Sequence, residues 1–164
     1  MKVLIALDGQ PYAEAITNYV CQHRWPAGTQ FLLVHVIQTS LSSNNGMDVQ
    51  VHSGQYAQRN KLLQDCGNRI KKAAPDCEFI SSILAGDPSE ELLAACRRIK
   101  PDLLVIGSHG ESLYVRRLLG SVSHALVNHV DCSTMIVRLP KRIIDEWSDK
   151  QLEHPKVNRV MQIQ

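Results

Sequence analysis

Aromatic side chains are scarce in this sequence: two tryptophans, four tyrosines and two phenylalanines, 5% of 164 residues. That is too few for a surface that stacks nucleic-acid bases. Charge of one sign is lacking as well. Eighteen basic and sixteen acidic side chains leave a net charge of +2, which gives no electrostatic footprint for nucleic acid or an anionic membrane. No apolar stretch approaches the roughly 18 residues that span a bilayer. The opening MKVLIALDGQ stops being apolar at Asp8, too early for a secretory leader, and no small-residue cleavage site follows. A cytoplasmic location is expected. The five cysteines, Cys21, Cys66, Cys77, Cys96 and Cys132, contain no pair at the two-residue spacing of a zinc or redox motif. They read as small buried apolar residues. The seven histidines form no HExxH motif or Cys/His cluster, and His124 and His129 are spaced off a common helical face. Also missing are the G-x-x-x-x-G-K-[ST] loop, a G-x-G-x-x-G after the first strand, and a G-x-S-x-G elbow. Their absence gives no support for a P-loop enzyme, a dinucleotide dehydrogenase or an α/β hydrolase.

What is present is an alternation. The apolar runs KVLIAL (2–7), TQFLLVHVI (29–37), CEFISSIL (77–84), DLLVI (102–106) and TMIV (134–137) read as strands. Helical spacing separates them. Ala13, Ile16, Tyr19 and Val20 follow Pro11, which suits a first helical turn. Leu62, Leu63, Cys66 and Ile70 form a second stripe, ending near Ala74 and Pro75. Leu92, Leu93, Cys96 and Ile99 form a third, announced by Asp87 as N-cap, Pro88 at N1 and Glu90 at N3, and stopped by Pro101. Val122, Ala125, Leu126 and Val130 form a fourth. Residues 38–54 show no periodicity and are long for a connection, which marks them as a mobile or functional loop. The pattern predicts an α/β fold in one domain, a five-stranded parallel doubly wound sheet with helices on both faces. Residues 1–139 carry it, and 140–164 read as a C-terminal extension, helical around Ile143 to Leu152.

In such sheets ligands bind at the carboxyl ends of the strands. The segment GSHGESLYVRRLLGS (107–121) leaves the fourth strand at that edge. Its Gly107, Gly110 and Gly120 permit unusual backbone angles or close approach. Ser121 opens a helix whose first N–H groups favour an anion, with Ser121 and Ser123 adding hydroxyls. The same residues equally suit a plain turn and helix start. Arg116 and Arg117 read as phosphate screens or as a solvated face. Asp8 reads as a helix N-cap or as a ligand or metal contact. Ser108 and His109 are adjacent, so they do not present themselves as a nucleophile and base, and no third orienting residue is indicated. No catalytic residue is assigned.

These residues carry a resemblance. G-2x-G-9x-G-[ST] occurs as Gly107, Gly110, Gly120 and Ser121, and with VLIALDG, LLVHVI, GDPSEELLAAC, DLLVIGSHG and LLGSVSHALV the chain resembles the ATP-binding branch of the universal stress protein family over residues 1–138. The resemblance implies a flavodoxin-like or Rossmann-like sheet of order 3-2-1-4-5. It implies adenosine beside Ala6, Leu7, Asp8, Val36, Ile106 and Gly107. Phosphates would be held by Gly110, Gly120, Ser121, Val122 and Ser123 through main-chain N–H groups and hydroxyls. ATP is the implied ligand, with AMP or ADP as alternatives and Mg²⁺ or Mn²⁺ as companion. A homodimer through strand five is implied too. The chain departs from the family in starting that strand with Cys132, Ser133 and Thr134 rather than proline and valine, and in the tail after Pro140. Three functions fit: an ATP-binding stress-response regulator or switch with little or no hydrolysis, read by an unknown protein partner; a slow or partner-activated ATPase; and a nucleotide-independent dimeric scaffold.

Overall fold

A computed structural model describes residues 1–38, 48–109 and 119–153. Five strands alternate with five helices: β1 (Lys2–Ala6), α1 (Tyr12–Gln22), β2 (Gln30–Gln38), α2 (Asp48–Ala73), β3 (Glu78–Gly86), α3 (Pro88–Ile99), β4 (Leu103–Gly107), α4 (Ser121–His129), β5 (Ser133–Val137) and α5 (Lys141–Glu153). The strands form one parallel sheet of order β3-β2-β1-β4-β5, as expected.

The apolar runs explain the two-sided core. Successive side chains of a strand point to opposite faces. In β1, Val3 and Ile5 join Leu7, Phe31, Leu33 and Val105 against Tyr12, Ile16 and Val20 of α1 and Leu63 and Ile70 of α2. Leu4, between them, joins Val34, Leu104 and Ile106 against Leu92 and Cys96 of α3 and Leu126 of α4. Each such side chain, fully buried, contributes about 1.5–3 kcal/mol relative to exposure. β3 is less apolar because it is an edge strand with alternating exposure.

The local signals hold at α3. Asp87 accepts from the amides of Ser89 and Glu90 at 2.9 and 3.0 Å, and Pro88 stands at the start. Lys100 ends the helix in the left-handed conformation (φ 50°), its N–H on the Cys96 carbonyl. Three expectations need correction. The stretch read as a loop to residue 54 is helical from Asp48; residues 54–58 are exposed, so they carry no apolar stripe to betray a helix. Pro11 is the N-cap of α1, one residue before its first turn. Asp8 therefore does not cap α1. After β5 the chain forms α5, which buries Ile144. Among the described residues, no helix is long and apolar enough to cross a membrane.

The cysteines behave as small core residues. Cys66, Cys77 and Cys96 are buried, Cys21 and Cys132 partly so, and all five are free thiols. Burial pushes the Cys21, Cys66 and Cys132 thiols up; burial and then the neighbouring Cys132 push Cys96 up to about 11. High thiol pKa values leave little of the reactive thiolate.

Candidate functional site

At the carboxyl edge of the sheet, β1, β2 and β4 end around a cavity of about 500 Å³. Ala6, Leu7 and Asp8 line it from β1. Val36 lines it from β2, Ile106 and Gly107 from β4, and Gly120, Ser121, Val122 and Ser123 from the start of α4. Gly110, Arg116 and Arg117 lie outside the described residues. The described residues that the resemblance assigns to the ligand thus line one cavity.

Leu7 is held there by its N–H on the Val34 carbonyl at 2.8 Å, which extends the β1–β2 ladder past Ala6. The buried His35 donates from Nδ1 to the Leu7 carbonyl at 2.8 Å, pinning the β1 exit to β2. Asp8 is exposed, and its carbonyl accepts from Arg59 Nη1 of α2 at 3.3 Å.

Two of the donors expected to serve a ligand are used inside the protein. The Gly120 N–H goes to the Ser108 carbonyl at 2.7 Å, and Ser123 Oγ donates to the Gly107 carbonyl at 2.7 Å. The first bond of α4 runs from the His124 N–H to the Gly120 carbonyl. The amides of Ser121, Val122 and Ser123 precede that bond and belong to the positive end of the helix.

The glycines answer to close approach rather than to unusual angles. Neither Gly107 nor Gly120 is among the glycines of positive φ. A Cβ on Gly107 would stand 2.7 Å from Tyr12 Cδ1 and 3.0 Å from the His109 carbonyl oxygen; one on Gly120 would stand 3.3 Å from His109 Cα. The protein's own atoms crowd both.

Ser108 and His109 do meet: Ser108 Oγ lies 3.2 Å from His109 Nδ1. A third partner, absent from the sequence reading, is the buried Tyr12, whose hydroxyl lies 3.0 Å from Ser108 Oγ and 3.5 Å from His109 Nδ1. Ser108 is only 3% exposed, which denies its hydroxyl to a substrate. The cluster joins the start of α1 to the exit of β4.

Sequence reasoning also missed His35, Arg59, Pro88, Leu92 and Leu126 in the lining. Leu92 and Leu126 lay on stripes that read simply as core. Arg59 stands on the poorly patterned first half of α2, where nothing local signals a site. Among the described residues, no three or more ligating side chains gather to hold a metal ion.

The universal stress protein family profile matches residues 1–138. A universal stress protein of Methanothermobacter thermautotrophicus is 34% identical over 140 residues, covering 84% of this chain and 94% of that protein. A universal stress protein A-like protein of Arabidopsis thaliana is 33% identical over 85 residues, covering 52% of this chain; the matched region spans about half, 46%, of that relative. Among solved structures, the Methanocaldococcus jannaschii protein MJ0577 superposes with a TM-score of 0.75 at 19% identity, covering 85% of this chain and 96% of that one. An Arabidopsis thaliana family protein with AMP bound gives 0.64 at 19%, covering 87% and 94%. The Archaeoglobus fulgidus universal stress protein in complex with dAMP gives 0.60 at 16%, covering 84% and 97%.

Proposed function

Since the chain belongs to the universal stress protein family, we propose that it is an adenine-nucleotide binding module. ATP is its preferred ligand, AMP and ADP its alternatives, and its role is that of a stress-response regulator or nucleotide-dependent switch. The observation that carries this reading is the cavity of about 500 Å³ into which the amino end of α4 opens, at the carboxyl ends of β1, β2 and β4. That is where a doubly wound sheet takes its ligands. The relatives with AMP and dAMP bound support the adenine assignment.

The adenosine lies along Ala6, Leu7, Asp8, Val36, Ile106 and Gly107. The phosphates meet the amides of Ser121, Val122 and Ser123, with Gly120 leaving them room; Gly110 completes the motif. Helix dipole and bare amides favour the anion there. Mg²⁺ or Mn²⁺ enters only as companion to the triphosphate. Asp8 is the one carboxylate among the described residues of the lining.

Hydrolysis is slow or absent on this reading. It needs a group that positions or deprotonates a water. His109 has its Nδ1 turned to two hydroxyls. Residues 1–139 carry the binding module, and 140–164 form an extension available to a protein partner. The outer edge of β5, the last strand in the sheet order, is the proposed homodimer contact.

Mass spectrometry of the freshly purified protein tests the reading first, by finding co-purified adenine nucleotide. Equilibrium dialysis should then show ATP bound in preference to GTP. A protein that carries no nucleotide and retains none in dialysis would refute the reading and leave a nucleotide-independent scaffold.

A further inference from the structure

We propose that Tyr12 is a positioning residue for the phosphate end of the cavity, acting through Ser108 and His109. The inference rests on the nucleotide reading above for its ligand, and on the described side chains for its geometry. Tyr12 is the first residue of α1, far in sequence from the glycine motif, and it is 2% exposed. Its ring occupies the space that a side chain at Gly107 would need, with Cδ1 2.7 Å from that position. Its hydroxyl reaches Ser108 Oγ at 3.0 Å, and Ser108 Oγ reaches His109 Nδ1 at 3.2 Å.

The same short segment is held at its backbone. The Ser108 N–H donates to the Val137 carbonyl at 2.9 Å, and the Ser108 carbonyl receives the Gly120 N–H at 2.7 Å. Gly120 is the N-cap of α4. A shift of Ser108 therefore moves the residue from which the amides of Ser121, Val122 and Ser123 are aimed. The phenol of Tyr12 is the side-chain anchor of this unit on the α1 side.

Proton bookkeeping gives the cluster a direction. The phenolic proton is the more acidic of the two hydroxyl protons. It goes to Ser108 Oγ, and the serine proton goes to His109 Nδ1. Nδ1 is then an acceptor, so the neutral ring carries its hydrogen on Nε2. His109 lines the cavity.

Two measurements on the full chain test the proposal, each with Tyr12→Phe, which keeps the ring and removes only the hydroxyl. Nitrogen-15 NMR of the neutral His109 ring, assigned by the loss of its signals in His109→Gln, should show Nδ1 bare and Nε2 protonated. In Tyr12→Phe both nitrogens should shift away from these wild-type values. A wild-type ring protonated on Nδ1, or shifts unchanged by the variant, would overturn the proposal. Calorimetric titration should show the Kd for ATP raised about fivefold in Tyr12→Phe, the worth of one hydrogen bond, with that for adenosine unchanged. Equal changes for both ligands, or none, would count against it. If the wild-type protein binds neither ATP nor adenosine, the nucleotide reading falls and the ring nitrogens alone decide the anchor. Ser108→Ala breaks the same relay from its middle and serves should Tyr12→Phe fold poorly.

Discussion

The Gly120 amide donates to the Ser108 carbonyl at 2.7 Å, which ties the start of α4 to the exit of β4. The two ends of the glycine segment are thus one structural unit, although the chain between them is long. Glycine at 120 allows this contact: the His109 Cα lies 3.3 Å from where a Cβ would be.

The first prediction concerns that position. Gly120 has φ −66° and ψ 165°, angles open to any residue. A valine there is not strained in its backbone, but its methyl groups crowd His109 and the mouth of the cavity. Gly120→Val should lower ATP affinity by at least about tenfold, roughly 1.4 kcal/mol, while circular dichroism stays native. Gly120→Ala should fall between. Wild-type affinity in the valine variant would mean that phosphates do not pass this residue.

Gly107 should behave differently, because its neighbour is a buried ring. Gly107→Ala places a methyl 2.7 Å from Tyr12 Cδ1 and 3.0 Å from a backbone oxygen, so something must shift. Overpacking of this kind costs about 1–3 kcal/mol. The expected outcome is a Tm lowered by roughly 3–10 °C in calorimetry, a larger loss than in Gly120→Ala. A variant as stable as the wild type would show that Tyr12 has room to retreat.

These two glycines also show where sequence reading stops. Their spacing places them at the two ends of one segment, and the strand runs place that segment at the carboxyl edge of the sheet. What crowds them cannot be read locally: Tyr12 and Ser108 touch across 96 positions. The fold was more legible than the site because its signals are short-range. Asp87 caps the amides two and three residues ahead, and the apolar strands stand alone as runs. The start of α2 escaped notice for the opposite reason. Residues 54–58 face solvent and have no buried stripe, so helix and loop look alike there. Arg59 escaped with them, since a cation on such a stretch reads as solvated until the fold brings it to Asp8.

The edge of β5 yields a third prediction. Val137 turns its carbonyl to β4, where it accepts the Ser108 N–H. Residues of a strand alternate the side to which their peptide groups point, so Thr134 and Ile136 turn theirs outward. If the dimer forms through this edge, Thr134→Pro removes an outward N–H and leaves the β4 ladder whole. Light scattering after size exclusion should give the mass of two chains for the wild type and of one for the variant. A variant that remains dimeric would place the contact elsewhere.

The fourth prediction follows from Cys96. Its thiol is raised from 9.0 to about 11, by burial first and by Cys132 second. The folded protein therefore holds this proton more tightly than the unfolded chain does. The resulting stability is fully present below the unfolded value and is lost as pH rises through the folded one, between about 9 and 11. Burial shifts Cys21, Cys66 and Cys132 in the same direction, so they add to the same loss. Urea midpoints should fall over this interval, and Cys96→Ala should show a shallower fall. Because the alanine costs core packing at every pH, the slopes are compared rather than the midpoints. Equal slopes would mean that the Cys96 thiol ionises in the folded protein as readily as in the unfolded chain. Alkylation at pH 8 provides the parallel check: Cys96 should react far more slowly in the folded protein than in urea, since the thiolate is the reactive species and this one is both rare and covered.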